Sequence, residues 1–451
     1  MSSPEPDFFQ HLRSELRGGR VWLDRAIVLG YAVLAGLFVV AFTLAAEYAF
    51  ALFHRAYLWQ PWLVLIWTPA LTAAIVWATR RHFPSASGSG IPQVKAALHG
   101  ALPPEHSGVF VSLRLTLAKM VLGAAGFLGG LSVGREGPSV QIAAGVMQHA
   151  RRWLSPNSRI DARSLLIAGG AAGIAAAFNA PLAGVVFAIE ELSGRIESRA
   201  SGLIITAIVL AGLVAVSAFG NLSYFGVIRV PRLGWDVIGP GLLVTVVAGI
   251  SGGVFARLLI ASLTGLPGRL NTLRQRFPVR FAAAGGLVVA VIGLVTGGVT
   301  FGSGSESVKQ MLQGELQFTL LSTLLKFVAT WLTAWCGVPG GIFAPSLSIG
   351  AGIGSSVAQL AAVHLGPTLI AIGMAAFLAA VTQAPLTAFI IVMEMVDGHA
   401  MVLSLMASAM LASLISRMIS RPLYDTLAAH MVGLVIGRMP PPEADDPPAA
   451  R

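Results

Sequence analysis

An arginine and a glutamate stand side by side in an otherwise apolar stretch, as Arg135 and Glu136 of Gly-Arg-Glu-Gly-Pro-Ser. The nearest other acids along the chain are Glu105 and Asp161. An ionised carboxyl is costly in such surroundings, and acids within membrane-embedded segments mark ion or proton pathways. The pair therefore indicates transport of a charged species.

Glu136 is predicted to lie at the start of a helix, because Pro138 suits a first helical turn and the helix then runs from about Ser139. Its carboxylate would sit beside unpaired backbone N–H groups, as a fixed anion able to occupy an anion site. When protonated it loses this attraction and can swing away. One glutamate could thus be both gate and proton carrier; the alternative is an acid that only caps the helix.

Two other segments have residues suited to binding an anion. In Gly88-Ser89-Gly90-Ile91-Pro92, Ser89 offers a hydroxyl and the following helical stretch offers N–H groups; the alternative is an ordinary Ser89 N-cap. In Gly341-Ile342-Phe343-Ala344-Pro345, the amides of Ile342 and Phe343 could face the site, although Phe343 alone would be judged a core aromatic. Residues 327–393 contain no Asp, Glu, Lys or Arg, so amide and hydroxyl dipoles would hold an anion there, weakly enough for its release.

Three more ionisable residues lie near these segments. Glu190 and Glu191 end the helix that begins near Pro181. We interpret Glu190 as a structural cap, while Glu191 points about 100° away on a helix and could be an internal proton acceptor. Lys119 could offset buried anions or extend its ammonium to the membrane interface.

The composition is that of a polytopic membrane protein. Of 451 residues, 55% are hydrophobic and 11% are charged, against about 25% charged in soluble domains. The net charge of +10 comes from short basic clusters between apolar spans, which is typical of cytoplasmic loops and argues against nucleic-acid binding. With the single cysteine Cys336, neither an intrachain disulfide nor a Cys-based metal site is expected, and no cofactor is predicted.

The elements that must position these residues are apolar segments. Windows long enough to cross a bilayer, at about 20 residues each, occur at 26–54, 60–79, 108–133, 202–220, 235–263, 279–300, 317–337 and 400–416. Segments 136–150, 164–189, 340–363 and 367–396 are interrupted by Gly and Pro. Broken helices inside a membrane are tolerated only where protein or a water-filled cavity surrounds them. Transporters and channels build their ion sites in such segments.

The chain contains an internal repeat. Pro138–Gly145 matches Pro345–Gly352 at an offset of 207, and Ala175–Leu182 matches Ala379–Leu386 at an offset of 204. Glu190 and Glu394 each follow the second proline by nine residues. The alternative, small residues recurring for close packing, explains Ala and Gly but not the ordered Pro, Ser and Glu. Two repeats are therefore predicted, with the site where they meet.

The predicted organisation is a cytoplasmic N-terminal tail (1–25), a first repeat (26–220), a linker (221–234), a second repeat (235–433) and a disordered C-terminal tail (434–451). No soluble domain is expected.

Four motifs together give a resemblance to a known family: GSGIP at 88–92, GREGP at 134–138, GIFAP at 341–345 and Pro-Leu-Tyr at 422–424. Their order and spacing resemble the CLC family of chloride channels and transporters, in its bacterial form without cytoplasmic regulatory domains. The resemblance covers about residues 26–433. It implies an all-α membrane protein, a homodimer whose subunits each contain two inverted repeats of tilted and broken helices.

By the same resemblance, Ser89, Tyr424 and the amides of Ile342 and Phe343 would bind the central anion. Glu136 matches the family's external gating glutamate, Glu191 the internal glutamate of proton-coupled members, and Lys119 a buried base near the path. The supporting motif residues are Gly88, Gly90, Pro92, Gly134, Arg135, Gly137, Pro138, Gly341 and Pro345.

The resemblance implies a chloride/proton antiporter in a bacterial inner membrane, with chloride and protons as its partners. Ser at position 89 resembles chloride-type members more than nitrate-type ones. The main alternative is a passive chloride channel on the same scaffold. A different class, an intramembrane hydrolase, is raised by Gly130-Leu131-Ser132-Val133-Gly134, which fits G-x-S-x-G but needs a partner base; no enzyme activity is expected.

Overall fold

Helices make up most of the part of the chain that the computed structural model describes. That part comprises residues 19–102, 104–158, 160–193, 201–220, 225, 234–265, 268–361, 363–396 and 399–437. The helices of the first half are α1 (Gly19–Trp59), α2 (Val64–His82), α3 (Ile91–Ala97), α4 (Leu113–Leu128), α5 (Glu136–His149), α6 (Ala162–Phe178), α7 (Pro181–Phe187) and α8 (Ser201–Phe219). Those of the second half are α9 (Ile238–Thr264), α10 (Arg269–Arg276), α11 (Pro278–Val295), α12 (Ser305–Leu312), α13 (Leu320–Cys336), α14 (Phe343–Ala361), α15 (Gly366–Thr382), α16 (Pro385–Met395), α17 (Val402–Arg417) and α18 (Leu423–Ile436).

Some of these helices are long and apolar enough to cross a bilayer. By length and composition they are Gly19–Trp59, Pro61–His82, Gly202–Phe219, Trp235–Thr264 and Pro278–Val295. The windows predicted at 108–133, 317–337 and 400–416 instead form the shorter helices α4, α13 and α17, of 16 or 17 residues. α4 and α13 are shorter than their windows because the side chains of Ser112 and Thr319 cap the helix starts. The residues before these caps lie outside the helices.

The two halves exchange equivalent contacts through a pair of glutamates. The Glu190 carboxylate accepts hydrogen bonds from the N–H groups of Leu386 (3.0 Å) and Thr387 (2.6 Å), at the start of α16. Glu394 accepts equivalent bonds from Leu182 (3.2 Å) and Ala183 (2.7 Å), at the start of α7. Each half therefore caps a helix of the other, as a two-fold relation between the halves requires. Glu190 is a structural cap, as predicted, but its helix lies in the other repeat.

A buried lysine occupies the same place in each half. Lys119 on α4 and Lys326 on α13 are both fully buried and are separated by the repeat offset of 207. The Lys119 ammonium donates to the carbonyls of Ala86 (2.8 Å) and Gly88 (2.6 Å). The Lys326 ammonium donates to those of Thr300 (3.0 Å) and Gly302 (2.8 Å). Each lysine thus fixes one glycine-rich loop.

The broken helices pack in pairs with very close backbones. A Cβ atom on Gly169 of α6 would lie 2.7 Å from Ala144 Cα of α5, and one on Gly350 of α14 would overlap the Gly373 carbonyl of α15. Small residues at helix contacts permit this approach in membrane proteins. The pairs α5–α6 and α14–α15 form the centre of the molecule, so the helices that carry Glu136 and Phe343 have rigid support.

The predicted boundaries fall inside helices at both ends. α1 begins at Gly19, within the segment assigned to the N-terminal tail, and Asp24 on its first turns accepts hydrogen bonds from the N–H (3.0 Å) and hydroxyl (2.9 Å) of Ser155. That polar contact holds the helix start against the rest of the protein. α18 continues to Ile436, beyond the predicted boundary at 433. Residues 1–18, 438–451 and most of the 221–234 linker lie outside the described residues.

Candidate anion and proton site

Backbone hydrogen bonds tie the three predicted anion-binding segments together. Gly134 and Gly341 exchange N–H···O bonds in both directions, each 2.7 Å long. The Gly88 N–H donates to the Val338 carbonyl (3.2 Å), and the Gly340 N–H donates to the Gly88 carbonyl (3.1 Å). Residues more than 200 positions apart therefore meet in one cluster, where the two repeats join.

Glu136 lies between the N-termini of two helices, one from each repeat. α5 begins at Glu136 itself, so the prediction of a start near Ser139 was three residues late. The side chain is 1% exposed, and one carboxylate oxygen accepts from the Ala344 N–H at 3.4 Å, in the first turn of α14. The N–H groups of Arg135 and of Glu136 itself also act on the carboxylate. Helix N-termini stabilise negative charge, so this position favours the ionised acid or an anion in its place.

Glycines allow this close approach. A Cβ atom on Gly137 would overlap the Ser89 hydroxyl and would lie 3.2 Å from Gly341 Cα. Gly90 has φ +114°, and its N–H donates to the Gln93 side chain at 2.9 Å. Gly90 is thus the N-cap of α3, so the alternative of Ser89 as an ordinary N-cap is wrong. The Ser89 hydroxyl is left to face the Glu136 segment.

Two buried hydroxyls approach each other in this cluster, those of Ser89 and Tyr424. Neither makes a hydrogen bond of normal geometry within the described part of the chain, and the Tyr424 side chain is 1% exposed. Buried donors without partners are costly, and an anion between them would satisfy both. Tyr424 reaches this point because α18 packs against α3, the helix that follows Ser89.

Phe343 is buried, with its ring between two other aromatic rings. The centroid distances are 6.2 Å to Phe178 and 6.1 Å to Tyr424. The Phe343 ring is therefore a core aromatic. Its burial leaves a separate role open to the backbone N–H of Phe343. Ile342, which precedes it, is also buried at 6% exposure. That the amides of Ile342 and Phe343 bind an anion stays a prediction; the amide seen bound to Glu136 is the next one, of Ala344.

The remaining motif residues support the cluster. Lys119 is buried and holds the Gly88 carbonyl, so it does not extend to the membrane interface. Pro92, Pro138 and Pro345 occupy the second or third position of α3, α5 and α14, where a missing N–H breaks no helical hydrogen bond. These prolines and Lys119 thus help to fix the backbone of the three loops.

Arg135 pairs with an acid on α1, and its charge also acts on the Glu136 carboxylate. Its guanidinium lies 2.5 Å from the Glu47 carboxylate, whose side chain is 56% exposed. Sequence reasoning did not identify Glu47, because nothing in the spacing links α1 to the start of α5. The ion pair lies at the edge of the cluster, since only its acidic end is open to the surroundings.

Glu191 lies in a second group of charges, away from Glu136. It belongs to a π-helical turn, Ala188–Ser193, that continues α7. Its carboxylate lies 2.8 Å from the Lys95 ammonium of α3, and that ammonium lies 2.6 Å from the carboxylate of Asp425 on α18. Lys95 and Asp425 were missed by the sequence analysis, although a lone base in the apolar stretch after Pro92 was a visible signal. Lys326 was missed as well.

Ser132 shows no arrangement for hydrolysis in the described residues. Its hydroxyl is buried and bonds to that of Thr330 at 2.8 Å, on the helix that carries Lys326. A nucleophile needs a base in this position, and a threonine hydroxyl cannot serve as one. The contact instead ties the loop before Glu136 to α13.

Comparison with known proteins agrees with this geometry. Residues 71–417 match the family model described as voltage gated chloride channel. The chain is 32% identical over 427 residues to the H(+)/Cl(-) exchange transporter ClcA of Cronobacter sakazakii, covering 88% of this chain and 87% of the relative. It is 30% identical to the ClcA protein of Salmonella arizonae, covering 84% and 80%.

Solved structures give the same fold. A slow cyanobacterial Cl⁻/H⁺ antiporter superposes with a TM-score of 0.78 at 25% identity, covering 91% of this chain and 98% of that one. A CLC-type fluoride/proton antiporter superposes with a TM-score of 0.73 at 22% identity, covering 94% and 99%. At this lower identity the likeness concerns the fold alone. With a family model matching most of its length and its motif loops joined at one centre, this membrane protein belongs to the CLC family of chloride channels and transporters.

Proposed function

We propose that the chain is a chloride/proton antiporter in which Glu136 is the external gate and Glu191 the internal proton acceptor. The observation that carries the proposal is the position of Glu136. Its carboxylate accepts the Ala344 N–H at the N-terminus of α14 while belonging to the first turn of α5. A carboxylate and a chloride ion compete for the same positive helix ends, so both cannot occupy them at once.

Protonation removes this competition. A neutral Glu136 no longer gains from the helix N-termini, so it leaves, and chloride takes the place. The proton moves with the side chain and chloride moves through the position it vacates. Coupling between opposite movements of the two ions follows from this exclusion and requires no cofactor.

The proposed anion position is lined by hydroxyl and amide dipoles, from Ser89, Tyr424, Ile342 and Phe343. The buried ammonium of Lys119 donates to the carbonyls of Ala86 and Gly88. An anion held by dipoles alone binds weakly enough to be released at each turn. A spherical, weakly basic halide such as chloride fits these donors, and this is the ion that we propose.

The nearest alternative is a passive chloride channel on the same scaffold. An acid at both positions favours the exchanger, because a channel needs no proton acceptor at Glu191. We also propose a homodimer in a bacterial inner membrane. Leu182 on α7 and Leu386 on α16 are at equivalent positions of the two repeats, on helices that contact each other, and expose 48% and 39% of their area; this apolar surface is suited to lipid or to a second subunit.

A flux assay in sealed liposomes tests the proposed function. Purified protein is reconstituted with a chloride concentration difference across the membrane and a proton gradient directed so that exchange would move chloride up that difference. Chloride and pH are recorded together. We expect the proton gradient to drive chloride against its own concentration difference. Chloride that only follows its own gradient, with no linked proton movement, would identify a channel.

A further inference from the structure

A lysine shared between two carboxylates lies at the proposed internal proton acceptor, and its partners have very different exposure. The Lys95 ammonium is 2.8 Å from Glu191 and 2.6 Å from Asp425. The side chains of Lys95 and Glu191 are 13% and 8% exposed, whereas that of Asp425 is 64% exposed. One buried cation thus faces one buried acid and one acid in contact with the surroundings.

The other charged group near Glu191 is committed elsewhere. In the described part of the chain, the charges acting on Glu191 come from Lys95, Asp425 and Glu190. Glu190 is bound to the backbone N–H groups of Leu386 and Thr387. The phenol of Tyr424, which also faces Glu191, is neutral and directed toward Ser89. Lys95 therefore has Glu191 and Asp425 as its two anionic partners here.

Proton uptake by Glu191 changes the charge balance of this group. While Glu191 is ionised, Lys95 neutralises it. Once Glu191 is neutral, a buried ammonium would remain with no counter-charge, which is strongly unfavourable. Asp425 prevents this, because it keeps a carboxylate within hydrogen-bond distance of Lys95 in both states.

We propose that Asp425 and Lys95 form a charge-holding pair that allows Glu191 to load and unload a proton, with Asp425 stabilising the protonated state of Glu191 and Lys95 the ionised state. Both are positioning residues, since neither carries the transported proton. The inference rests on the proposed antiport, and it assigns a role to two residues that lie outside the four family motifs. The two residues act in opposite directions on one equilibrium.

The test uses two variants that should shift the pH profile of proton transport in opposite directions. In Asp425→Asn, Lys95 is stranded when Glu191 takes up a proton, so proton transport should require a more acidic inner solution, by about one pH unit. In Lys95→Met, the ionised Glu191 loses its partner and takes up a proton more readily, so the pH profile should move by about one unit to higher pH. A purely structural defect would lower the rates of both variants without opposite shifts.

Conservative and matched controls complete the design. Asp425→Glu keeps the carboxylate and should restore the wild-type profile, because the exposed position has room for one more methylene. Glu306→Gln replaces another exposed acid in a first helical turn, on α12, and should leave the profile unchanged. Glu191→Gln sets the floor for proton movement. Proton and chloride fluxes are measured together in liposomes over a series of inner pH values.

The outcomes separate the two proposals. If the wild type couples protons to chloride and the two variants shift the profile in opposite directions, the charge-holding pair is supported. If the wild type is coupled but both profiles stay in place or move the same way, this inference is wrong and the antiport stands. If the wild type moves no protons, the proposed function is wrong, and the role of the pair in proton loading is wrong with it.

Discussion

At the residue scale, the site is defined by groups that lack an ordinary partner. The hydroxyls of Ser89 and Tyr424 are buried and approach each other without a normal hydrogen bond in the described residues. Glu136 is buried as well, but it has the Ala344 N–H. The unpaired hydroxyl donors of Ser89 and Tyr424 therefore lie in the same cluster as the carboxylate of Glu136.

The first prediction concerns the hydroxyl of Tyr424 and its contribution to chloride affinity. Tyr424→Phe keeps the ring that contacts Phe343 and removes the hydroxyl that we expect to bind chloride. A hydrogen bond to an ion contributes about 1.5–3 kcal/mol, so chloride affinity should fall by about tenfold or more. Calorimetric titration of the detergent-solubilised protein with chloride measures the change.

The control for Tyr424 is another buried tyrosine. Tyr57→Phe, on α1 and packed against Phe301, should bind chloride as the wild type does. Tyr424→Ala also loses the ring and should weaken binding at least as much as Tyr424→Phe. Unchanged chloride affinity in Tyr424→Phe would remove the hydroxyl from the site.

At the element scale, two short helices are each capped by a residue of the other half. α7 and α16 are short, with seven and eleven residues, and each receives the carboxylate of the other's repeat at its N-terminus. An isolated helix of this length is unstable. The reciprocal caps explain why the π-helical turn that carries Glu191 has a fixed position.

The caps predict equal losses of stability. Glu190→Gln and Glu394→Gln each remove the charge from a helix N-terminus, which contributes about 1 kcal/mol. Both variants should therefore lower the midpoint of thermal unfolding in detergent by a similar amount. Glu315→Gln, at an exposed position, is the control and should leave the midpoint in place. A loss in only one of the two would contradict the two-fold exchange of contacts.

At the scale of the whole molecule, the repeat accounts for most of what the sequence could predict. The offsets of 207 and 204 located the paired broken helices, and the same offset of 207 applied to Lys119 leads to Lys326, which the sequence analysis passed over. The repeat also predicted that the site lies where the two halves meet. These features are periodic or local, so a single sequence contains them.

Other features depend on which helices pack against each other, and the spacing of residues along the sequence does not encode this packing. The Lys95 contacts require α3, α18 and the turn after α7 to converge. The Arg135–Glu47 pair requires α1 to cross the start of α5. α5 starts at Glu136, two residues after Gly134, which is hydrogen-bonded to Gly341 in a loop of the other repeat. Packing of this kind is settled only in three dimensions.

The most direct measurement is the flux of both ions through the Glu136→Gln variant in liposomes. Glutamine keeps the shape of the side chain but carries neither the negative charge nor the exchangeable proton. We predict that chloride continues to move down its gradient while linked proton movement is lost, together with uphill chloride transport. Proton movement at the wild-type ratio to chloride in Glu136→Gln would contradict the claim that this carboxyl and chloride exchange places.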